Sequence, residues 1–357
     1  MIKLDLNIYT AKIEDSFKLT NQFIAVPNMR FDFARARTAL KFGLIELQVE
    51  PGFTILVPDY LCSVVWDPML QLGLKVQTYP TLNNFQPDWI ALEKMQSINP
   101  AWGLMMVHYF GQPQPVEIFR RFSLRHGLKL IEDVAHGHSG KYHGINLGFF
   151  GDIGISSPRK ILNESYGACL FTKASIEGFN EKIAALSYPP SDSAIDILKS
   201  FIRRNPRLHG WIKGATTTHL DWSDPLLFQE SIKSDLLISQ SASEKLHLAP
   251  WEEIAKHRRS IWQSWQEFAV NNGLEPVFEG VHLESCPWAL PIYAKNLTER
   301  NRWLGWGARA GVPLFTWPTL SNEVINSGGP AYVRWKRLIC FPLDFFPEKC
   351  KGVKFES

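Results

Sequence analysis

The sequence predicts an α/β protein with a large, mainly parallel sheet and a smaller C-terminal α/β unit. Between about residues 30 and 175, short apolar runs alternate with helical patterns, which is typical of parallel βαβ units. The 357 residues exceed the length of one small domain. Ten of the thirteen tryptophans lie at or after Trp211, which indicates that the last third packs differently. In open parallel sheets, ligands bind beyond the carboxyl ends of the strands.

The first half of the chain contains six short apolar runs that predict strands. These are Thr54–Pro58, Lys75–Tyr79, Gly103–Tyr109, Lys129–Asp133, Asp152–Ser156 and Ala168–Thr172. Helical spacing of apolar residues predicts a helix over Phe33–Leu47, with Asp32 as its N-cap. A second helix is expected over Val116–His126, where Gly127 ends it. Helices of this kind would cover the sheet.

The last third predicts a second, smaller layer of helices and strands. We expect a long helix over Trp251–Val270, a strand over Trp288–Tyr293 and a helix from Thr298 to about Ala310, ended by Gly311. Proline and small polar residues at Tyr188–Ser193 favour a domain boundary there. The expected division is therefore a large domain over 1–190, a connecting and interface segment over 191–250, and a small domain over 251–357.

Composition and charge exclude several classes of protein. Apolar residues make up 45% and charged residues 20% of the chain, which is the balance of a globular protein. A net charge of +3 predicts no nucleic-acid or membrane partner. The chain lacks the roughly 18 consecutive apolar residues of a transmembrane helix and an N-terminal signal-peptide pattern. The five scattered cysteines form no CxxC pair, so we expect reduced thiols and a cytoplasmic location.

Two segments place chemically reactive side chains at the ends of predicted strands. A buried apolar strand leads into Asp133 and His136, and a buried carboxylate is costly unless it meets a cation. Asp133 therefore predicts either a functional cationic partner or a structural ion pair or helix cap. Lys160 lies between two apolar strands, beside Ser157. A lysine in such a crevice can act as an amine nucleophile, although an exposed loop lysine is the common alternative.

Together the two segments satisfy the needs of pyridoxal-phosphate chemistry. Such enzymes require a Schiff-base lysine, an acid facing the pyridine nitrogen and donors for the phosphate. Lys160 and Asp133 would supply the first two. The phosphate would lie at the start of the first long helix, near Ala36 and Arg37, since free N–H groups and the helix dipole favour anions there. The Ser157 hydroxyl could add a further donor.

At this point the sequence resembles the DegT/DnrJ/StrS family of pyridoxal-phosphate-dependent sugar aminotransferases, in the branch with a Ser-x-Arg-Lys motif. Six motifs occur in the family's order, and they cover residues 30 to 175. They are Ala36-Arg37-Thr38-Ala39-Leu40, Val57-Pro58-Asp59-Tyr60-Leu61-Cys62, Val107-His108-Tyr109-Phe110-Gly111-Gln112-Pro113, Ile131-Glu132-Asp133-Val134-Ala135-His136, Phe150-Gly151-Asp152-Ile153-Gly154 and Ser157-Pro158-Arg159-Lys160. The likeness continues weakly to the end, including Phe315-Thr316-Trp317-Pro318.

The resemblance implies the aspartate-aminotransferase fold (fold type I), pyridoxal 5'-phosphate as cofactor and a homodimer with its sites at the interface. It implies that Lys160 is the Schiff-base lysine, that Asp133 is the partner of the pyridine nitrogen and that His136 lies beside the cofactor's phenolic oxygen. Ser157 and the Ala36–Arg37 backbone would hold the phosphate. The implied reaction moves an amino group, from glutamate, to a keto-sugar nucleotide in amino-sugar or surface-polysaccharide biosynthesis.

The chain departs from the family pattern at the position of the aromatic residue that often stacks on the pyridine ring. Cys62 stands there, which leaves the stacking partner open, and Tyr60 or Tyr109 could substitute. After the lysine, only one glycine of the usual paired turn is kept, and Pro158 replaces a more usual apolar residue. These changes leave room for altered substrate choice or lost activity.

Three other interpretations remain open at the level of sequence. His136, His138 and His143, with nearby acids, could bind a metal. The fold could also serve a non-catalytic or regulatory binding protein, although that role needs neither Lys160 nor Asp133. Dehydration of a deoxysugar is a third possibility, but the relatives that catalyse it replace the lysine with histidine.

The basic stretch 201–209 could meet a substrate anion, or it could form a solvated face.

Overall fold

A seven-stranded sheet forms the centre of the larger part of the molecule. The computed structural model describes residues 29–173, 177–189, 221–227, 229–230 and 234–347. The strands of this sheet are β1 (Met29–Phe33), β2 (Thr54–Pro58), β3 (Lys75–Tyr79), β4 (Gly103–Val107), β5 (Lys129–Val134), β8 (Ile153–Ser156) and β9 (Ala168–Thr172). A small hairpin, β6 (Lys141–Tyr142) and β7 (Ile145–Asn146), lies between β5 and β8.

The strand order is β1-β9-β8-β5-β4-β2-β3, and six of the seven strands run in the same direction. The run from β8 to β3 is parallel throughout, whereas β9 pairs antiparallel with both β8 and β1. The predicted mainly parallel sheet is confirmed. The connection over residues 157–167 is short, and a parallel crossover needs about a dozen residues or more, so β9 reverses.

The helices surround the sheets. In chain order they are α1 (Ala36–Glu46), α2 (Trp66–Gln71), α3 (Trp89–Ile98), α4 (Val116–His126), α5 (Arg159–Leu162), α6 (Phe179–Ala184), α7 (Gln240–Leu248), α8 (Trp251–Asn271), α9 (Leu297–Ala310), α10 (Asn322–Ser327) and α11 (Pro330–Trp335). Gly127 and Gly311 end α4 and α9 in the left-handed conformation, as expected. In the described part of the chain, no helix is long and apolar enough to cross a membrane.

Two predicted element boundaries were wrong near the site. The first long helix begins at Ala36 rather than Phe33, because Phe33 pairs with Ala168 as the last residue of the unpredicted strand β1. Asp32 is therefore not its N-cap, and its carboxylate forms a salt bridge with Arg30 at 2.8 Å. The strand expected over Gly103–Tyr109 ends at Val107, since residues 109–111 form a 3-10 turn.

The C-terminal part is built on a three-stranded antiparallel sheet. Its strands are β10 (Glu275–Pro276), β11 (Ala289–Tyr293) and β12 (Leu338–Pro342). Helix α8 packs against β11, and α9 packs against β12. This confirms the smaller α/β unit, although one continuous apolar cluster joins it to the large sheet. The division at 190 and 250 stays a prediction, and residues 190–193 of the expected boundary lie outside the described residues.

Close backbone contacts bring the C-terminal part to the carboxyl edge of the large sheet. At Gly111, whose φ is +83°, a Cβ atom would lie 2.8 Å from the His136 carbonyl oxygen and from the Pro287 Cα. Only glycine fits both the left-handed backbone and this space. The Trp288 N–H also donates to the His136 carbonyl at 3.1 Å. The loops after β4 and β5 are thereby fixed against the start of β11.

Candidate active site

A cavity of about 650 Å³ opens at the carboxyl edge of the large sheet, and side chains from both sheets line it. Its volume is within the range of small-molecule sites. Every site residue expected from the sequence lies on its wall: Ala36, Arg37, Cys62, Asp133, His136, Ser157 and Lys160. The location agrees with the rule that parallel sheets place ligands beyond their carboxyl ends. The chemistry that each of these residues can perform depends on its own contacts.

Lys160 lies in the short helix α5, directly after β8, where the chain turns into the reversed strand β9. Its Nζ lies 4.8 Å from the centroid of the Trp288 ring. Burial, followed by the charge of Arg159, lowers the pKa of Lys160 to about 8, while the carboxylate of Asp133 opposes the shift. At neutral to slightly alkaline pH, a useful fraction of this amine is therefore uncharged and nucleophilic.

Asp133 lies near the end of β5, opposite Ile155 of the adjacent strand β8. Its side chain is buried, and Oδ1 accepts a 2.8 Å hydrogen bond from the N–H of Ala135. Burial raises the pKa of this carboxyl group, whereas the Ala135 bond and the charge of Lys160 lower it. The charge of Lys160 therefore acts on Asp133, but the hydrogen bond that orients the carboxylate comes from the backbone.

His136 is enclosed by aromatic rings. The centroids of Trp288 and Trp317 each lie 4.5 Å from the imidazole centroid. Its Nδ1 accepts a hydrogen bond from the Phe110 N–H at 3.3 Å. Burial, assisted by the charge of Lys160, holds the pKa of His136 well below its usual value. The imidazole is therefore neutral at physiological pH, with its proton on Nε2.

Three residues of the cavity wall, Ala36, Arg37 and Ser157, have the character of an anion site. Ala36 and Arg37 form the first turn of α1, where no side chain caps the helix. The Ser157 hydroxyl is buried, and within the described residues it has no hydrogen-bond partner. A buried hydroxyl without a partner is uncommon and requires an explanation. A phosphate at the helix N-terminus would accept from this hydroxyl and from the free N–H groups, so these residues fit that group.

Glu132 has a structural role, in contrast to its neighbour Asp133. Its buried carboxylate accepts from the N–H groups of Gly148, Phe150 and Gly151 at 2.6 to 2.8 Å. It also pairs with His108 at 2.9 Å. Strand alternation puts Glu132 and Asp133 on opposite faces of the sheet. Glu132 therefore holds the loop that precedes β8, while Asp133 faces the cavity.

The structure does not favour Tyr60 or Tyr109 as the stacking aromatic residue in place of Cys62. Neither tyrosine lines the cavity. The Tyr60 hydroxyl donates to the Trp317 carbonyl at 2.6 Å, and the Tyr109 hydroxyl donates to the Tyr60 carbonyl at 2.7 Å. Both rings are buried in the core, and each buried hydroxyl is satisfied by a backbone acceptor. Cys62 itself is half-buried and lines the cavity, so it is more than a core residue.

Trp288 is one site residue that the sequence did not predict. The sequence pattern places it only at the start of a C-terminal strand, more than 120 positions from Lys160. Arg258 fixes its backbone by donating to the carbonyls of Pro287 and Trp288 at 2.7 and 2.6 Å. The enrichment of tryptophan in the last third was the available signal. It could not identify which of these rings reaches the lysine.

The metal interpretation has no geometric support in the described ranges, where no group of three or more metal-binding side chains is assembled. His138 instead forms a 2.9 Å hydrogen bond with the Ser156 hydroxyl. The basic stretch 201–209 lies outside the described residues.

Comparisons with known proteins agree with this geometry. A sequence model of the DegT/DnrJ/EryC1/StrS aminotransferase family matches residues 32–180. The dTDP-3-amino-3,4,6-trideoxy-alpha-D-glucose transaminase of Streptomyces venezuelae is 30% identical over 112 residues, which are 31% of this chain and 29% of that protein. The matched segments span about a third of the length of such curated relatives.

Two solved structures share the fold over nearly the whole chain. A DegT/DnrJ/EryC1/StrS aminotransferase from Brucella abortus has a TM-score of 0.63 at 17% identity, and the match covers 95% of this chain and 87% of that one. Spr1654 from Streptococcus pneumoniae, in its PLP-form, also has a TM-score of 0.63 at 17% identity, covering 98% and 93%. The resemblance predicted from the motifs is therefore confirmed: residues 32–180 match the DegT/DnrJ/EryC1/StrS aminotransferase family, and the chain has the fold of that family's solved structures.

Proposed function

We propose that this protein is a pyridoxal-phosphate-dependent aminotransferase. One observation carries the proposal: two adjacent strands lead to Lys160 and Asp133 on the wall of a single cavity, which the unpartnered Ser157 also lines. A nucleophilic amine, a buried carboxylate and an anion site are the three features that the cofactor requires. The family match over residues 32–180 supports the same conclusion.

Each residue then has a defined task. The bound cofactor would supply an electron-accepting ring that stabilises negative charge at the substrate carbon. Asp133 would hold a proton on the ring nitrogen, and His136, through Nε2, would donate to the ring's phenolic oxygen. Ser157 and the N–H groups of Ala36 and Arg37 would hold the phosphate. Lys160 would carry the covalent link and then, as a free amine, take and return the proton of the substrate carbon.

The proposed acceptor rests on the matched relatives, and the proposed donor rests on the family resemblance alone. We propose glutamate as the amino donor and a keto-sugar nucleotide as the acceptor, with a role in amino-sugar or surface-polysaccharide biosynthesis. A dTDP-sugar transaminase is among the relatives that match. The aromatic cavity wall formed by Trp222, Trp288 and Trp317 supports an acceptor with a ring, because a sugar's apolar face packs against aromatic side chains.

We also propose that the protein is a cytoplasmic homodimer with its sites at the dimer interface. Sedimentation equilibrium tests the assembly, with an expected mass of twice the 40.8 kDa chain. A mass equal to one chain at the concentrations used for assays would contradict the dimer. It would leave the cofactor chemistry of the cavity to be tested separately.

The activity is tested with protein saturated with pyridoxal phosphate and supplied with single amino donors. Glutamate should shift the visible absorption band to that of the aminated cofactor, and a keto-sugar nucleotide should then restore the first band. Amino transfer should require the donor first and then the acceptor. If the band forms but no donor changes it, the non-catalytic binding interpretation replaces the aminotransferase.

A further inference from the structure

Arg35 occupies a position where a cation is disfavoured twice. It is the N-cap residue of α1, and its side chain makes no capping hydrogen bond. Good N-caps have a side-chain oxygen that accepts from the first turn, which arginine lacks. A positive charge at the positive end of the helix dipole is also unfavourable. Arg35 nevertheless lines the cavity, and its charge interacts with those of Glu230 and Arg37, which lie on the same cavity wall.

Arg37 lies in the same helical turn as Arg35, but the two arginines differ in their ion pairs. Arg37 is neutralised by Glu230 at 2.6 Å and by Asp67 at 3.6 Å. Within the described residues the Arg35 guanidinium has no salt bridge and no side-chain hydrogen bond. Its polar contact is the face of the Tyr166 ring, whose centroid lies 5.8 Å from Cζ. This cation–π contact orients the guanidinium but leaves its N–H groups available.

A second observation points to an anion in the same cavity. The Ser157 hydroxyl is 1% exposed and lacks a partner in the part of the chain that is described. Lys160 adds a further amine on the cavity wall. The acid whose charge acts on Arg35 is Glu230, and Glu230 is already paired with Arg37. In the described part of the chain, the Arg35 guanidinium and the Ser157 hydroxyl are therefore donors that an anionic ligand could use.

We propose that Arg35 is a ligand-binding residue whose guanidinium holds an anionic oxygen group, a phosphate or a carboxylate, inside the cavity. The planar fork of arginine donates two parallel hydrogen bonds to either group. The phosphate would be the cofactor's and the carboxylate would be the amino donor's, so this assignment rests on the proposed function. Tyr166 would be the positioning residue that keeps the guanidinium at the cavity wall.

The test compares wild type with Arg35→Gln and Arg35→Lys. Arg337→Gln is the matched control, because Arg337 pairs with Glu275 and does not line the cavity. If Arg35 holds the phosphate, Arg35→Gln should weaken pyridoxal phosphate binding about tenfold or more but leave binding of pyridoxal, which lacks the phosphate, unchanged. Arg35→Lys keeps the charge without the fork and should give an intermediate loss.

If Arg35 instead holds the carboxylate of the amino donor, the same variants should show a different pattern of binding losses. Pyridoxal phosphate binding should then stay unchanged, while the glutamate concentration that half converts the cofactor band should rise about tenfold or more in Arg35→Gln. An amine donor without a carboxylate should react equally with both proteins. If neither ligand responds to Arg35→Gln, and the variant melts at the same temperature as Arg337→Gln, the proposal is overturned.

A measurement without the cofactor separates this proposal from the proposed function. Inorganic phosphate or glutamate should raise the melting temperature of the wild type and of Arg337→Gln, but not that of Arg35→Gln. This result would support Arg35 even if pyridoxal phosphate failed to react with Lys160. Equal protection of all three proteins by both probes would count against Arg35, whatever happens to the cofactor.

Discussion

At the scale of single residues, burial sets the chemistry of Lys160 and Asp133 in opposite directions. It lowers the pKa of the amine and raises that of the carboxyl group. The sequence predicted both residues because each follows a recognisable apolar strand. It could not separate the neighbouring acids Glu132 and Asp133 by role, because that depends on which face of the sheet meets the cavity. It also could not place Trp288 beside Lys160.

The reaction of Lys160 with an aldehyde should depend on pH with a midpoint near 8. Its pKa is about 8 in place of 10.5, so the uncharged amine becomes populated as the pH rises through 8 and dominates above it. The rate of covalent reaction with pyridoxal phosphate should rise over this window and then level off. Rates measured across the pH range, with Lys160→Ala as control, check this. A midpoint near the ordinary value of 10.5 would show that the amine is solvated.

Asp133→Asn should separate cofactor binding from catalysis. The amide is the same size but cannot hold a proton on the ring nitrogen through a negative charge, so amino transfer should fall about 100-fold or more. Covalent attachment at Lys160 should persist. Asp88→Asn is the matched control, because Asp88 caps α3 and asparagine caps equally well. Unchanged transfer rates in Asp133→Asn would remove Asp133 from the mechanism.

At the scale of elements, the strands of the large sheet were predicted most accurately. The bounds of β2, β3 and β9 agree with the predicted runs, and β2 and β9 are apolar and buried along most of their length. Strand β1 was missed because its sequence, Met29–Phe33, merges into the helical spacing that follows. Only its pairing with β9 shows that Phe33 is extended. The start of a helix without a capping side chain, as at Ala36, has no strong sequence signal.

Strand β8 leads directly to Ser157 and Lys160, and Gly154 limits its position. A Cβ atom at residue 154 would clash with the Gly148 carbonyl oxygen, a backbone atom that cannot move freely. Gly154→Ala should therefore lower the free energy of unfolding by about 1–3 kcal/mol. Gly280→Ala, with no heavy atom within 4 Å of the added methyl, is the control. Equal melting temperatures for the two variants would mean that strand β8 accommodates the added methyl group.

At the scale of the whole molecule, a single apolar cluster spans both sheets. It includes Ile155 of the large sheet, Trp265 of α8 and Phe341 of the small sheet. Composition and tryptophan content predicted a distinct C-terminal unit, but not that its core would be continuous with the larger one. Contacts between distant segments decide this, and periodicity reports only local structure.

A continuous core predicts cooperative unfolding of the described structure. Scanning calorimetry should show one transition, with the calorimetric enthalpy equal to the van't Hoff enthalpy. Two separated transitions, assigned to the two sheets by limited proteolysis, would contradict a shared core. The protein should be tested without cofactor, because a ligand that binds one part would shift the melting temperature of that part.

The proposed chemistry of the cavity depends on covalent binding of pyridoxal phosphate by Lys160. The most direct test incubates the protein with the cofactor, reduces the mixture with borohydride and maps the labelled peptide, with Lys160→Ala in parallel. We expect a visible band in the wild type, one labelled peptide containing Lys160, and neither in the variant. Prior addition of glutamate should remove the label. The same featureless spectrum in both proteins, or a label spread over exposed lysines, would contradict the account.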